Sequence, residues 1–491
     1  MENVRCQFGG IDMLNFDRYH ATMGNFSLTD HAKLPSGKLL ADEMTTFYVT
    51  QRKLKFAPCV GHDRLKAALR ETELDVPHLD FLRRDKANLS LLADKLSSAS
   101  KHDFEVRAVT PGTIMFSGEP IADITGPFWF TQMQEVKFEH AFDEPMTVAS
   151  RALKVRRAAG DKHVSGFSLR RDGSAERSLE VNKYAYIGGF DDTSFMEAAY
   201  QLGINPVGTI AHYYIQAFLE FLYALHPERD PQGRKKHFEQ IAFEKWLDAN
   251  PNGTTLLLDT LLLKHGIIHA IRAAKSSDAR RKALKFVRID SGDLPKNTLW
   301  IRRMLDANNM KDVGIMVTSD LDDQKIREIV QTCCDVDGFG VGTKLIAEVE
   351  SVAGVIFKMC KIGKQATMKL SENPEKGTLP GKTQVWRFID NEGFYIKDVI
   401  TMDMEVPLKE NYASVAALLR PFFGRNNPDP WVPNIHDQRQ FVIEQMKHFR
   451  DIENYPVELS SSLQISIANL RKRLLEDEMG EEDVVMVDYP E

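Results

Sequence analysis

The sequence predicts an α/β protein whose central part is a parallel sheet, a barrel in preference to an open doubly wound sheet. Three observations lead there. Short apolar runs each end in a polar, acidic or glycine residue and are followed by a helical stretch: Leu256-Leu257-Leu258 before Asp259, Phe286 to Ile289 before Asp290, Gly314 to Val317 before Thr318-Ser319-Asp320, and Asp337-Gly338-Phe339 before Gly340. Asp259, Asp290, Asp320 and Gly342 stand 31, 30 and 22 residues apart, the repeat of consecutive strand-plus-helix units. The chain has 491 residues, 43% hydrophobic and 27% charged, which suits about three domains or one large barrel with additions and excludes wholesale disorder. An open sheet would give the same text, so the choice between the two stays open at this level.

Taken in order, residues 1–150 read as an N-terminal α/β domain. A short lead precedes a helix around Asp17–Met23. From Phe104 the runs Phe104–Val109, Thr113–Phe116 and Ile121–Ile124, punctuated by Thr-Pro-Gly and Gly-Glu-Pro, predict a small antiparallel sheet. Residues 127–160 read as helix with a break near Glu144-Pro145. The barrel occupies 151–355. Residues 356–430 are β-like and rich in Gly and Pro, and a Pro/Asn linker at 426–434 leads into 431–491, with two helices near 437–450 and 460–477 and a frayed acidic tail.

Composition excludes several classes. The net charge of −7 argues against nucleic acid as the main partner, since no basic face gathers phosphate backbone. Five cysteines, at 6, 59, 333, 334 and 360, describe neither a disulfide framework nor a zinc ligand set. Met1–Arg5 leads into no signal-peptide core, and the most apolar stretch, Leu256–Ile271, is interrupted by Asp259, Lys264 and His265. A reduced, soluble, cytoplasmic protein is expected.

Four constellations carry chemistry. Gly338-Phe-Gly340-Val-Gly342-Thr343 offers closely spaced backbone N–H groups before a helix, suited to a phosphate, although a tight strand-to-helix turn wants the same glycines. Arg288-Ile-Asp290-Ser-Gly-Asp293 places two carboxylates beside an arginine at a strand end. They suit a metal–diphosphate, ribose hydroxyls or a developing cation; the alternative is Asp293 as a helix N-cap with Asp290 paired to Arg288. Gly208-Thr209-Ile-Ala-His212 puts a histidine at the start of an apolar helix, Tyr213 to Leu225, as a nucleophile, a proton carrier or a packed residue. Phe167 with Arg170-Arg171, upstream of Tyr184-Ala-Tyr-Ile-Gly-Gly-Phe-Asp191 and Ser194, offers an aromatic face and cationic forks for a planar anion; a solvated Arg pair is the bland alternative.

In their order and spacing these motifs resemble those of nicotinate phosphoribosyltransferases. The resemblance rests on Tyr184–Asp191, Gly208–His212, Leu256-Leu-Leu-Asp-Thr260, Arg288–Leu294 and Phe339–Thr343. It extends to Lys369–Glu372, Leu379–Lys382, Asp17-Arg-Tyr19 and Phe47–Lys53 with Arg52, and covers roughly residues 14–400. It implies the type II phosphoribosyltransferase fold: an irregular α/β barrel with a mixed α/β domain built from N-terminal and late segments, the 356–430 segment joining the N-terminal domain. It also implies a homodimer, Mg²⁺, and transfer of phosphoribose from phosphoribosyl pyrophosphate to nicotinate with coupled ATP hydrolysis, the first step of NAD biosynthesis from nicotinate.

By the same resemblance, His212 would carry a phosphoryl group as phosphohistidine, and Phe167 and Arg288 would sandwich the pyridine ring. The partner subunit's Tyr19 would reach in, and Arg170 would take the nicotinate carboxylate or the 5′-phosphate. Asp290, with Asp259 behind it, would face ribose and metal–diphosphate. Ser319, Gly340, Gly342 and Thr343 would hold phosphate, with Arg52, Thr209 and Ser194 as further substrate contacts. Ser194 stands where the related nicotinamide phosphoribosyltransferase carries an aspartate, and a hydroxyl favours the acid over the amide as substrate. Three departures stand out: Gly166-Phe167-Ser168 replaces Glu-Phe-Gly, Asp172 replaces an alanine, and Leu262 replaces an aspartate. They motivate a second reading, a catalytically silent, ligand-sensing paralogue.

Overall fold

Six strands of the middle of the chain hydrogen-bond in parallel, in the spatial order Asp192–Thr193, His163–Gly166, Gly338–Val341, Gly314–Val317, Leu284–Ile289 and Thr254–Leu257. The computed structural model describes residues 14–70, 76–98, 104–225, 237–332, 335–346, 352–371, 377–409 and 411–476. Val287, Ile289, Ile315, Val317, Phe339 and Val341 are wholly buried, as expected of parallel strands covered on both faces. Helices Leu263–Lys275, Leu294–Ala307 and Asp323–Thr332 return the chain between strands. The sheet curls into a half-barrel, the α/β architecture expected of the type II fold, rather than a flat doubly wound sheet. The strand at His163–Gly166 was not among those expected, because four residues with one large apolar side chain give no periodic signal.

The chain divides into two compact units. One comprises Thr147–Ser351 with Ile435–Gln440 and contains the half-barrel; the other comprises Met1–Met146, Val352–Asn434 and Phe441–Glu491. In the second unit a six-stranded antiparallel sheet runs Gln365–Ala366, Val355–Ile362, Met44–Gln51, Pro120–Pro127, Glu105–Ala108 and Arg420–Phe423. Three N-terminal strands are therefore flanked on both sides by late ones in a single sheet, with Phe47 stacked on Phe357 at 4.8 Å between ring centroids.

The three β runs after Phe104 do not form one small sheet. Two of them pair within this larger one, whereas Ile114–Phe116 pairs with Phe56–Pro58. A further sheet orders Ser414–Ala417, Thr383–Ile389, Tyr395–Met402 and Val457–Leu459. Helices Arg18–Ser27, Ile435–Lys447 and Ser461–Glu476 lie where the sequence places them. Cys6, Cys333, Cys334, Glu372 and the acidic tail after 476 lie outside the described residues; Cys59 and Cys360 are buried thiols, whose pKa values burial pushes up.

The break expected at Glu144-Pro145 does not occur. One helix runs from Glu135 to Ala159 through Pro145. A proline inside a helix costs about 3 kcal/mol, chiefly a lost hydrogen bond to the carbonyl four residues back. Phe138, Phe142 and Met146 flank it and are fully buried. At about 1.5–3 kcal/mol each, they outweigh the defect only if the helix continues. Among the described residues, no helix is long and apolar enough to cross a membrane.

One packing contact supports the strand ends directly. Gly266, in the Leu263–Lys275 helix, lies so close to the Leu258 carbonyl that an added Cβ would sit 1.9 Å from its oxygen. Leu258 immediately precedes Asp259. Gly266→Ala must therefore push the helix off the strand end, and a loss of about 1–3 kcal/mol of stability is expected, the ordinary cost of overpacking. Urea unfolding measures it; an unchanged midpoint would show that the contact gives way freely.

Candidate functional site

The carboxyl ends of the parallel strands open into a cleft of about 500 Å³, lined by Phe167, Arg170, Arg171, Arg288, Asp290, Thr318, Ser319, Asp320, Gly340, Gly342 and Thr343. Four of the six strands contribute, from their last residues or the turn that follows. Phe167 and the arginine pair follow His163–Gly166, with Leu169–Arg171 coiled as a single 3-10 turn. Arg288 and Asp290 lie at the end of the Leu284–Ile289 strand, Thr318 to Asp320 follow Gly314–Val317, Gly340 lies within Gly338–Val341 and Gly342 follows it.

Asp290 is held on two sides. Its carboxylate Oδ1 accepts from Thr318 Oγ1 at 2.7 Å, and its backbone N–H donates to Asp259 Oδ2 at 2.9 Å. Asp259 Oδ2 also accepts from Ser291 Oγ at 2.6 Å, so Asp259 braces the turn that carries Asp290. The other oxygen, Asp259 Oδ1, is buried without a hydrogen-bond partner among the described residues. Asp293 does not join this group. It caps the Leu294–Ala307 helix, accepting the Lys296 N–H at 3.1 Å, with a proline in the first helical turn. The Arg288–Asp290 ion pair, the other half of that bland alternative, is not what holds Asp290.

Arg288 is half-buried and only loosely held. Nη1 donates to Thr209 Oγ1 at 3.5 Å, and Nε is buried without a hydrogen-bond partner among the described residues. Burial pushes its pKa below the ordinary guanidinium value and nearby Arg170 adds to this, while Asp290 and Asp259 counter it. A cation so placed gains by receiving an anion. Arg170 and Arg171 are both solvent-exposed at the mouth, so the cleft gathers three guanidinium groups against two carboxylates.

The glycines make room as well as offering amides. A Cβ on Gly340 would lie 2.4 Å from the Phe167 ring, and one on Gly342 would lie 2.8 Å from the Phe167 carbonyl oxygen. Their smallness lets Phe167 lie against the strand end. The turn leads into a 3-10 turn, Thr343–Leu345, and not into the regular helix expected. Ser319 has φ +131°, a conformation that costs of order 1–3 kcal/mol in a non-glycine residue and tends to be retained at ligand sites.

His212 opens the His212–Leu225 helix beside this group. Its Nδ1 lies 3.2 Å from Thr260 Oγ1, and its Nε2 lies 3.7 Å from Asp290 Oδ2. Thr209 lies in the same approach, its hydroxyl donating to the Ile210 carbonyl. Ser194 follows the short Asp192–Thr193 strand, its N–H donating to the Gly166 carbonyl; it does not line the cleft. Tyr19 and Arg52 belong to the other unit: the exposed Tyr19 hydroxyl donates to Glu135 at 2.8 Å, and Arg52 donates to the Gly377 carbonyl at 3.0 Å. The sequence places Thr318 and Asp320 at a strand end without a role, and Arg171 only with Arg170 as a cationic fork. Thr318 turns out to hold Asp290, and its place beside Ser319 at a strand end was the available signal.

The departures have structural answers. Ser168 Oγ donates to Asp172 Oδ2 at 3.0 Å, both residues fully buried, so two of the replacements satisfy each other beneath Phe167. Leu262 is 62% exposed at the N-cap position of the Leu263–Lys275 helix, in extended backbone with no side-chain cap. Leu262→Asp should therefore raise stability by about 1 kcal/mol by capping that helix. Chemical denaturation at neutral pH measures the gain, and a destabilised variant would mean that the added charge is repelled by Asp259.

An α/β half-barrel with guanidinium groups, a braced carboxylate and a glycine-tight turn gathered at its strand ends has the chemistry that suits a planar or phosphorylated anion. The model of the nicotinate phosphoribosyltransferase family matches residues 162–413, just over half of the chain. The chain is 29% identical over 409 residues to the nicotinate phosphoribosyltransferase of Bacillus subtilis, covering 76% of this chain and 79% of that one. To that of Rattus norvegicus it is 26% identical over 430 residues, covering 75% and 80%. Human nicotinic acid phosphoribosyltransferase shares the fold with a TM-score of 0.73 at 22% identity, over 92% of this chain and 99% of that one. Nicotinate-nucleotide pyrophosphorylase from Pyrococcus furiosus does so with a TM-score of 0.66 at 21% identity, over 91% and 99%. The chain belongs to the nicotinate phosphoribosyltransferase family.

Proposed function

We propose that the protein forms nicotinate mononucleotide and pyrophosphate from nicotinate and phosphoribosyl pyrophosphate, with coupled ATP hydrolysis, as the first step of NAD biosynthesis from nicotinate. The observation that supports this best is the convergence of Phe167, Arg288, Asp290 and the Gly340–Thr343 turn on one cleft. Phe167 offers a face for the pyridine ring, and the arginines offer charge to its carboxylate. Departure of pyrophosphate leaves positive charge on the ribose, which the Asp290 carboxylate, held by Thr318, is set to stabilise. Amides of Gly340, Gly342 and Thr343, with Ser319, would receive the 5′-phosphate, and Ser194 and Thr209 would contribute hydroxyl contacts.

Asp290 and Asp259 suit Mg²⁺: one is a cleft carboxylate and the other keeps a buried oxygen without a hydrogen-bond partner among the described residues. Such an ion is ordinarily held by one or two carboxylates plus substrate phosphates, and it would supply charge neutralisation for the diphosphate. His212 is the residue we assign as phosphoryl acceptor from ATP, its ring oriented by Thr260. The enzyme would act in the cytoplasm as a homodimer, with the partner subunit's Tyr19 reaching in and Arg52 as a further substrate contact.

Comparing kcat/KM for nicotinate and nicotinamide tests the assignment. Nicotinate is expected to be the better substrate; higher efficiency with nicotinamide would transfer the protein to the amide-using relatives. No product from either would leave a ligand-sensing role.

A further inference from the structure

We propose that His237, Glu239 and His269 form a site for a divalent transition-metal ion, of which Zn²⁺ is the representative probe. These residues are not among those lining the strand-end cleft, and no local spacing marks them as a set because His269 lies 30 residues beyond Glu239. His237 is the N-cap of the Phe238–Ala249 helix, Glu239 lies in that helix's first turn, and His269 projects from the Leu263–Lys275 helix.

Three observations converge. One donor atom from each residue can be chosen so that all three lie within 4.8 Å of one another. Donor atoms around a tetrahedral ion with bonds of 2.0–2.1 Å stand about 3.3 Å apart, so modest side-chain rotations close the set. Two imidazoles and a carboxylate form a ligand set that such ions take, with a fourth position left for water.

The second observation is the carboxylate. Glu239 is fully buried; Oε2 accepts from His269 Nδ1 at 2.6 Å, but Oε1 is buried with no hydrogen-bond partner among the described residues. An unpartnered carboxylate oxygen in that position is costly, and a cation removes the cost. The third is the pair of histidines. The His237 and His269 rings lie nearly parallel with centroids 4.3 Å apart, so two imidazoles stand side by side next to the carboxylate. His237 Nδ1 accepts the Glu239 N–H at 3.3 Å, which leaves Nε2 for an ion.

The consequence is mechanical. An ion there ties the first turn of one helix to the next helix, the one whose Gly266 backs onto the strand end before Asp259. Bound metal is therefore expected to stabilise the folded half-barrel by mass action.

The test uses the full-length chain, stripped with a chelator, dialysed and titrated with Zn²⁺ by calorimetry and with Co²⁺ by visible absorption. One ion per chain and a zinc-dependent rise in Tm are expected. His237→Asn keeps an N-cap acceptor but removes the imidazole. It should weaken zinc binding by at least the roughly 10–100-fold that even loss of an outer supporting hydrogen bond costs. Glu239→Gln and His269→Gln should do the same, and His237→Asn remains informative if those buried variants fail to fold. His265→Gln, one turn before His269 and solvent-exposed, should bind as the parent does. Absence of stoichiometric binding by the parent chain, or binding and a Tm shift untouched by His237→Asn, overturns the proposal.

Discussion

Asp290→Asn keeps the fold and lowers kcat by about 10²–10³-fold, the scale on which a single preorganised group acts on developing charge, worth about 2.7–4 kcal/mol. Asparagine preserves the shape, the oxygen that accepts from Thr318, and the backbone N–H bonded to Asp259. It removes the negative charge that on the proposed function would face the ribose, so the loss should fall mainly on kcat, with less change in KM for nicotinate. Thr318→Val, which leaves the charge but frees the carboxylate to rotate, should lose less. Steady-state kinetics of both variants, with circular dichroism to confirm folding, decide the matter. Near-normal kcat in Asp290→Asn would reduce Asp290 to a structural partner of Thr318.

His212→Ala should abolish ATP hydrolysis and its stimulation of the transfer, while a slow, ATP-independent transfer survives. The ring stands at the first residue of its helix, where backbone amides without helical partners can hold a phosphoryl group. Thr260 beside Nδ1 fixes the ring, and Nε2 faces the Asp290 carboxylate across 3.7 Å. Phosphorylation would therefore place new negative charge next to the carboxylate that serves the reaction, which gives ATP a direct means of altering the site. Asp290, Arg288 and the glycine turn remain in the alanine variant, so the basal reaction has its own machinery. Incubation with γ-labelled ATP should give an acid-labile, base-stable phosphoprotein that the variant does not form. Persistent labelling of His212→Ala would move the acceptor to another residue.

Much of the half-barrel was legible locally. Parallel strands covered on both faces must be short and apolar, and their ends must turn, so Asp259, Asp290, Ser319 and Gly340 could be placed at strand ends from period alone. The helices after the strands ending at Asp259, Asp290 and Asp320, and the two late helices, followed from the same patterning. The resemblance then suggested roles for residues that the pattern had only located.

Other features depended on partners distant in sequence. Met44–Gln51 pairs with both Pro120–Pro127 and Val355–Ile362, a choice set by which apolar faces close over one core. Pro145 reads locally as a helix break, yet the helix continues because burial of the side chains on either side exceeds the cost of one missing hydrogen bond. Two aspartates three residues apart looked equivalent as text. Asp293 meets the free N–H of Lys296 and is used as a helix cap, whereas Asp290 meets the Thr318 hydroxyl on the next strand and faces the cleft. The sequence by itself determined that acids, arginines and glycines stand at strand ends. Only the tertiary structure decided which of them are occupied by the protein's own hydrogen bonds and which are left for a ligand, because a carboxylate's role is set by the donors that surround it in space.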